Sequence, residues 1–369
     1  MNILITGANG FVGKNVVAEL STHKDKTVLP FDMDTPKEKL KEYAKICDFV
    51  LHFAGVNRPQ TEDEFIIGNT GFTGELIDAL REVGSRAPIL MTSSIQATLD
   101  NSYGQSKLSA ENLLFAYEKE TGVPVYVYRM PNIFGKWCRP NYNSAVATFC
   151  YNTARDLPIT VTDPNRMMKL VYIDDIMEEI FRAMEGNVTK DGDFCTIAPI
   201  HNILLGDMAT LIASFPESRK TLKAIDMSDP LTKKMYATYL SYIPKDALAY
   251  DLKMNVDDRG SFTEFLKGSA MGQISVNIAH PGIVKGNHWH HTKNEKFLVV
   301  AGKGVIRFKN FFEDDVIEYH VDGSKLTVLD IPTGYSHNIE NTGDTDLVTV
   351  MWASEPFDPH HPDTYFMPL

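Results

Sequence analysis

Up to about Tyr242 short β-branched or apolar runs alternate with longer segments of helical spacing, and from about Leu252 onward the helical segments stop. This change of period constrains the fold more than any other feature of the chain. Residues 3–5, 27–31, 49–53, 89–91 and 125–129 read as strands, with helical spacing at 12–20, 74–83 and 106–118 between them. Strands that alternate with helices make βαβ units, and these predict an α/β, Rossmann-type doubly wound parallel sheet. Past Leu252 the candidates are residues 274–278, 296–300, 305–309, 325–329 and 346–351, with Gly, Asn or Asp between them. That pattern predicts an all-β barrel or sandwich of jelly-roll type. The 369 residues suit two domains, placed at 1–243 and 252–369 with a linker at 244–251.

Hydrophobic residues are 43% and charged residues 23% of the chain, which is ordinary globular usage. A net charge of −12 argues against a nucleic-acid binder, which needs a basic face. Cys47, Cys138, Cys150 and Cys195 form no C-x-x-C, so no disulfide framework or thiolate zinc site is readable and a reduced, cytoplasmic protein is expected. No apolar run approaches a membrane span, and nothing near the first strand resembles a signal peptide.

Thr6-Gly7-Ala8-Asn9-Gly10-Phe11-Val12-Gly13 follows the first strand and opens a helix. Glycines at 7, 10 and 13 permit a tight turn, close approach of backbone amides to a pyrophosphate, and close helix–strand packing. The helix N-terminus adds free N–H groups and a positive dipole end. A second constellation is Tyr103-Gly104-Gln105-Ser106-Lys107, after Thr92-Ser93-Ser94 at a strand end. Tyr103 and Lys107 are four apart and share a helix face. The lysine charge would favour the phenolate, and such a tyrosine can give a proton to a carbonyl oxygen as hydride arrives. Ser94 would bond the same oxygen.

With Phe53-Ala54-Gly55, Arg129-Met130-Pro131-Asn132-Ile133-Phe134-Gly135 and Val171-Tyr172-Ile173-Asp174-Asp175, these motifs resemble the extended short-chain dehydrogenase/reductases. The resemblance implies a nicotinamide cofactor at the Thr6–Gly13 turn, Phe53-Ala54-Gly55, Tyr103 and Lys107, and a nucleotide-sugar substrate near Asn132. Only eight residues separate Ser94 from Tyr103, fewer than that family usually has, so Ser93 stands as an alternative donor. Asp32, at the end of the second strand, would accept from a ribose 2′-OH and by itself argues for NAD; Lys37 and Lys39 could pair with a 2′-phosphate but read first as solvated.

In the second part, Gly282-x5-His288-x-His290-x4-Glu295-x6-Gly302 is followed by Pro332-x-Gly334-x2-His337-x3-Asn341. Residues i and i+2 of a strand share a face, and imidazoles plus a carboxylate suit zinc or another divalent metal. His291 breaks the alternation and should face outward; His360 and His361 read as surface residues. The spacing is similar to the two motifs of the cupin superfamily, with Leu326 in place of a usual Gly. Asp258-Arg259-Gly260-Ser261-Phe262-Thr263-Glu264, Gln273-x3-Asn277 and Lys285-Gly286-Asn287-His288 more closely resemble the cupin 3,5-epimerases of deoxythymidine-diphosphate-sugar pathways. That resemblance implies His288 as the base beside a ketone, Lys296 as the enolate-stabilising cation, and Arg259 and Glu264 as nucleotide contacts. Those epimerases lack a metal, whereas His290, Glu295 and His337 add ligands here, with His288 either the free base or a fourth ligand. Their acid tyrosine has no counterpart in residues 348–352, which favours inversion of one centre.

The order reductase-then-cupin is similar over the whole chain to the capsular polysaccharide biosynthesis enzymes of CapF type. That resemblance implies a homodimer, NADPH in place of NADH, and a UDP-2-acetamido-2,6-dideoxy-hexos-4-ulose epimerised at C3 and reduced at C4 to a UDP-N-acetyl-6-deoxy-L-talosamine. The competing reading keeps the reductase and makes the cupin a dimerising module with a structural metal. A nucleotide-sensing protein with a dead reductase is the third.

Overall fold

The computed structural model describes residues 1–369, and the chain divides into two compact units. One comprises residues 1–214 and 226–245, the other residues 215–225 and 246–369.

The first unit is built on β1 (Asn2–Thr6), β2 (Thr27–Phe31), β3 (Phe49–His52), β4 (Ile89–Ser94) and β5 (Val125–Met130), all parallel in the order β2-β1-β3-β4-β5. Strands Phe194–Cys195 and Lys190–Asp191 continue the sheet beyond β5, the latter antiparallel. Strands of such a sheet are buried on both faces and read as continuous apolar runs. In β1, Ile3 and Ile5 pack with Val16, Leu20, Ile176 and Ile180 on one face, while Leu4 packs with Leu76, Leu80 and Leu114 on the other. The chain passes from β1 outward to β2 and then returns to the other side of β1, so the carboxyl end of β1 lies at the switch in strand order, where such sheets take their ligands.

The helix expected at 106–118 begins earlier, at Ser102, and runs to Thr121. Asn101 caps it, its Oδ1 accepting from Gly104 N at 2.8 Å, and so draws Tyr103 into the first turn. A three-stranded sheet of Asn132–Phe134, Met167–Tyr172 and His201–Leu204 completes the unit.

The second unit has two antiparallel sheets. One runs Met254–Asp257, Gly260–Gly268, Gly272–Ala279, Leu347–Ala353, Glu295–Ala301, Val328–Ile331; the other runs Val316–Asp322, Lys303–Asn310, Tyr335–Asn341, Val284–Trp289, Tyr365–Phe366. Phe297, Val299, Ile306, Phe308, Ile339 and Leu347 form its core. Strand Tyr335–Asn341 carries Ser336, His337, Asn338 and Asn341 yet is almost wholly buried, which is why apolar patterning does not reveal it. The strand expected at 325–329 starts at Val328, because Lys325 N closes a turn on Asp322 O at 3.1 Å.

The sequence reading makes one cut, at 244–251, whereas the chain also leaves the first unit at 215 and returns at 226. Within that excursion Leu222 O accepts from Lys267 N and Ala224 N donates to Lys267 O, both at 2.8 Å. Arg219 lies 4.4 Å over the Tyr250 ring and bonds Leu248 O at 3.2 Å. Lys267 lies in strand Gly260–Gly268 of the second unit, so residues 215–225 are anchored there by main-chain bonds. All four cysteines are buried free thiols, and no helix is long and apolar enough to cross a membrane.

Candidate functional site

Two sites emerge, one in each unit. In the first, Gly7 sits at φ +70, and a Cβ there would lie 2.7 Å from Ala54 N; a Cβ on Gly13 would lie 2.1 Å from Gly7 O. Both glycines are therefore required by the crossing of the turn over residues 53–55 and over its own helix. Helix α1 (Phe11–Leu20) starts at Gly10 with no side-chain cap, leaving the first-turn N–H groups of Phe11 and Val12 for an anionic ligand. Phe53 N bonds Thr6 O at 3.1 Å and Ala54 N bonds Thr6 Oγ1 at 3.4 Å, which holds the Phe53-Ala54-Gly55 turn against Thr6.

The Thr6 hydroxyl belongs to a buried chain that sequence reading did not single out. His52 Nδ1 lies 2.7 Å from Thr6 Oγ1, and His52 Nε2 lies 2.9 Å from Thr73 Oγ1, which donates to Asn69 O. Burial drives His52 down to about 3, so it is neutral. Asp32 reaches back to the turn: its Oδ2 accepts from Asn9 N at 2.7 Å and its Oδ1 from Met33 N at 2.8 Å. Lys37 and Lys39 are paired with Glu75 and Glu42 at the surface.

Beside this turn stands the tyrosine–lysine pair. Burial raises the pKa of Tyr103, and the neighbouring Ser94 side chain partly offsets that. Ser93 points elsewhere, into a buried network in which its Oγ donates to Glu111 and Glu111 receives Arg129 Nη2 at 2.6 Å. The structure thus turns Ser94, not Ser93, to Tyr103. Lys107 is buried, and desolvation pushes its ammonium down to about 8, with Glu111 opposing. Its Nζ is 3.0 Å from where a Cβ on Gly55 would stand, so Lys107 closes on the Phe53-Ala54-Gly55 turn. The short Ser94–Tyr103 connection is met by Gly104, where a Cβ would strike Gln96 O and Leu99 O at 2.4 and 2.5 Å. Asn132 is exposed and bonds Lys169 O at 3.2 Å.

In the second unit His288, His290, Glu295 and His337 bring one ligand atom each to within 4.8 Å of one another. His290 Nδ1 faces Asp363 O at 2.5 Å and His337 Nδ1 faces Tyr335 O at 3.4 Å. A carbonyl only accepts, so both Nδ1 atoms carry the proton and both Nε2 atoms present lone pairs. Those Nε2 atoms stand 3.4 and 3.2 Å from Glu295 Oε2. All three atoms are buried without a hydrogen-bond partner, and His288 is not among such orphans. Three electron-rich atoms facing one another in a buried site fit a divalent cation.

His288 lines an adjoining cavity of about 690 Å³ with Arg259, Asn277, Lys285, Lys293 and Glu295. Burial, with His337 adding to it, brings His288 down to about 4, so it is a neutral imidazole able to take a proton. Lys285 reaches the same face because of a β-bulge: Lys285 pairs with Ile339 and His288 with His337, the extra residue being Asn287 at φ 61. Its ammonium bonds Ile278 O at 2.7 Å, Asn277 Oδ1 at 3.1 Å and Ser261 O at 3.4 Å, and desolvation lowers its pKa. Asn277 Nδ2 is buried and unpartnered beside it.

Two expectations are corrected here. Lys296 is exposed and paired with Asp330, because its neighbours Glu295 and Phe297 face inward and successive strand residues face opposite ways. Glu264 is capped by Lys267 at 2.8 Å and does not line the cavity. Arg259 does line it, held by Asp257 at 2.5 Å. His291, His360 and His361 are exposed.

Known proteins resemble both units. Residues 3–197 match the NAD dependent epimerase/dehydratase family, and residues 255–365 match the polysaccharide biosynthesis C-terminal domain. A UDP-2-acetamido-2,6-beta-L-arabino-hexul-4-ose reductase of Pseudomonas aeruginosa is 43% identical over 99% of this chain and 98% of its own. The crystal structure of the capsular polysaccharide assembling protein CapF of Staphylococcus aureus superposes with a TM-score of 0.94 at 51% identity, covering both chains completely. A Bacillus cereus UDP-glucuronic acid 4-epimerase, at 19% identity and a TM-score of 0.55 over 66% of this chain and 96% of its own, shares the fold of the first unit.

Proposed function

The chain belongs to the NAD dependent epimerase/dehydratase family, in the two-domain form it shares with CapF, and on that premise we propose an enzyme with two active sites on one UDP-sugar ketone. The substrate is a UDP-2-acetamido-2,6-dideoxy-hexos-4-ulose. The second unit, a cupin, inverts C3, and the first reduces the C4 ketone with NADPH. The product is a UDP-2-acetamido-2,6-dideoxy-L-talose, a precursor of UDP-N-acetyl-L-fucosamine for capsular polysaccharide. The working form is a cytoplasmic homodimer.

The observation that carries the reading is the neutral His288 in a cavity beside three unpartnered ligand atoms. A proton next to a ketone is removable when positive groups meet the developing enolate oxygen. His288 takes the C3 proton as the C–H bond breaks, and the electron pair moves onto the ketone oxygen. The Lys285 ammonium supplies positive charge beside that oxygen and Asn277 Nδ2 a donor, Lys285 taking the role the epimerase resemblance gave Lys296. A proton delivered by water to the opposite face of C3 completes the inversion, and His288 gives its own proton back to solvent. A divalent cation, zinc for this donor set, would be held by His290, Glu295 and His337 and supplies Lewis-acid stabilisation. Arg259, Lys285 and Lys293 line the cavity beside these ligands, which favours a working pocket over a structural staple.

In the first unit the nicotinamide supplies the hydride. Tyr103, protonated at neutral pH because burial raises it, gives its proton to the C4 oxygen, with the Ser94 hydroxyl beside it. Lys107 carries the compensating charge, and Asn132 with Arg259 contacts the sugar nucleotide in their respective sites. NADPH over NADH follows the resemblance to CapF and stands against Asp32, whose carboxylate accepts from Asn9 N and Met33 N and keeps lone pairs for a ribose 2′-OH. Lys37 is 83% exposed in a loose 3.4 Å pair and is free to turn to a 2′-phosphate.

The test is mass spectrometry of the UDP-4-keto sugar incubated in D₂O with and without NADPH. Deuterium gained without NADPH, and a reduced product with it, support two active sites. Reduction without exchange would leave a ketoreductase with a scaffolding cupin.

A further inference from the structure

We propose that residues 362–367 form part of the metal site of the second unit, with Asp363 as the positioning residue that fixes which nitrogen of His290 faces the cation. The proposal rests on the metal reading above and concerns a segment that carries none of the ligands.

His290 lies just past strand Val284–Trp289, in the five-residue connection that leads to Glu295. Two ligands flanking a short loop need that loop immobile, and Asp363 fastens nearly all of it. Its Oδ1 accepts from His291 N at 2.9 Å; its Oδ2 accepts from Thr292 N at 2.9 Å, Lys293 N at 2.8 Å and Thr292 Oγ1 at 3.2 Å. Hydrogen bonds to a carboxylate are the stronger kind. The main-chain oxygen of the same residue takes the Nδ1 proton of His290 at 2.5 Å, which leaves Nε2 unprotonated toward Glu295. Asp363 sits at φ +37, a region that non-glycine residues seldom occupy and that Asp enters more readily than most.

The rest of the segment is tied to the same loop and strand. Lys293, buried, donates through Nζ to Pro362 O at 3.2 Å and Thr364 Oγ1 at 2.8 Å. Phe366 pairs with His288 and Tyr365 with Trp289, and Met367 N bonds Asn287 O at 2.8 Å. One segment thus braces His288 along the strand and sets the tautomer of His290.

The experiment uses the full chain stripped of metal, titrated with zinc against a chromophoric chelator, together with ¹⁵N spectra of histidine-labelled apoprotein. Partners that orient a ligand are worth about 10- to 100-fold in affinity, so Asp363→Ala should weaken zinc by that factor. Asp363→Asn, which keeps one accepting oxygen, should fall between, and it decides the matter if the alanine variant does not fold. The His290 Nδ1-protonated signature should be single in the parent and mixed in Asp363→Ala, while NADPH binding by the first unit stays unchanged. A merely structural role would lower stability and leave the tautomer and the zinc affinity of the folded protein alone; that result overturns the proposal. If the parent itself fails to bind zinc, the metal reading falls, and an unaltered tautomer in Asp363→Ala then separately rejects the role of Asp363.

Discussion

At the end of β1 the groups left for a ligand are main-chain N–H groups at the start of α1, whereas between the two sheets of the second unit they are two imidazoles and a carboxylate. The first site is a shape: Gly7 and Gly13 exist because a Cβ has nowhere to go. The second is a charge problem, in which lone pairs converge in a buried place and a cation is the remedy. A backbone cradle survives most side-chain changes nearby and fails when a glycine gains an atom. A ligand cluster fails when any member, or the residue orienting it, is lost.

The sharpest way to break the comparison is a pair of variants with opposite losses. Tyr103→Phe should cost reduction about 10²- to 10⁴-fold while deuterium exchange into the ketone persists. His288→Ala should do the reverse, removing exchange by a similar factor while a pre-epimerised ketone is still reduced. NADPH oxidation by Tyr103→Phe at the parental rate would end the triad assignment. Next come the two lysines. Lys285→Ala should lower exchange about 10²-fold, the cost of losing one electrostatic stabiliser of a developing oxyanion, and Lys296→Ala should stay within about twofold. The opposite result would place the enolate cation on the outer face of the strand.

Gly13→Ala sharpens the contrast from the backbone side. With its Cβ 2.1 Å from Gly7 O, it should destabilise the first unit by about 1–3 kcal/mol and weaken NADPH, with zinc affinity unchanged, read by thermal melts and coenzyme titration. The smallest effect is in pH. Lys107 titrates near 8, below a free lysine, so reduction should decline as pH rises through about 8 while Tyr103 remains protonated; Lys107→Arg should move that limb upward. Because the folded form gives up the proton first, burial of the Lys107 charge costs stability below pH 8. Stability from this group then rises from there toward the unfolded lysine value.

What the sequence makes legible follows the same division. The turn at residues 6–13 is contiguous, so glycine spacing and its place after a strand suffice to find it. Among the candidate metal ligands, strand alternation explains the spacing of His288 and His290. Phase is harder. Ser93 and Ser94 are equivalent on paper, and only the Glu111–Arg129 pair on the Ser93 side separates them. Lys296 matches a motif by order, but Glu295 faces inward and a one-residue step reverses the face. Lys285 is hidden by the bulge at Asn287, which carries no apolar signature. Asp363 acts from 73 residues beyond His290, a distance no local pattern spans.

The excursion of residues 215–225 has a consequence for how the chain is made. As the polypeptide is synthesised, this stretch emerges before strand Gly260–Gly268 that it pairs with, and residues 226–245, which complete the first unit, emerge after it. Neither unit can finish as a clean block from one end. A gene cut at the apparent linker would strand residues 215–225 without their partner and deprive the other half of a main-chain anchor. The two units are therefore interleaved along the chain, and no single cut delivers both intact.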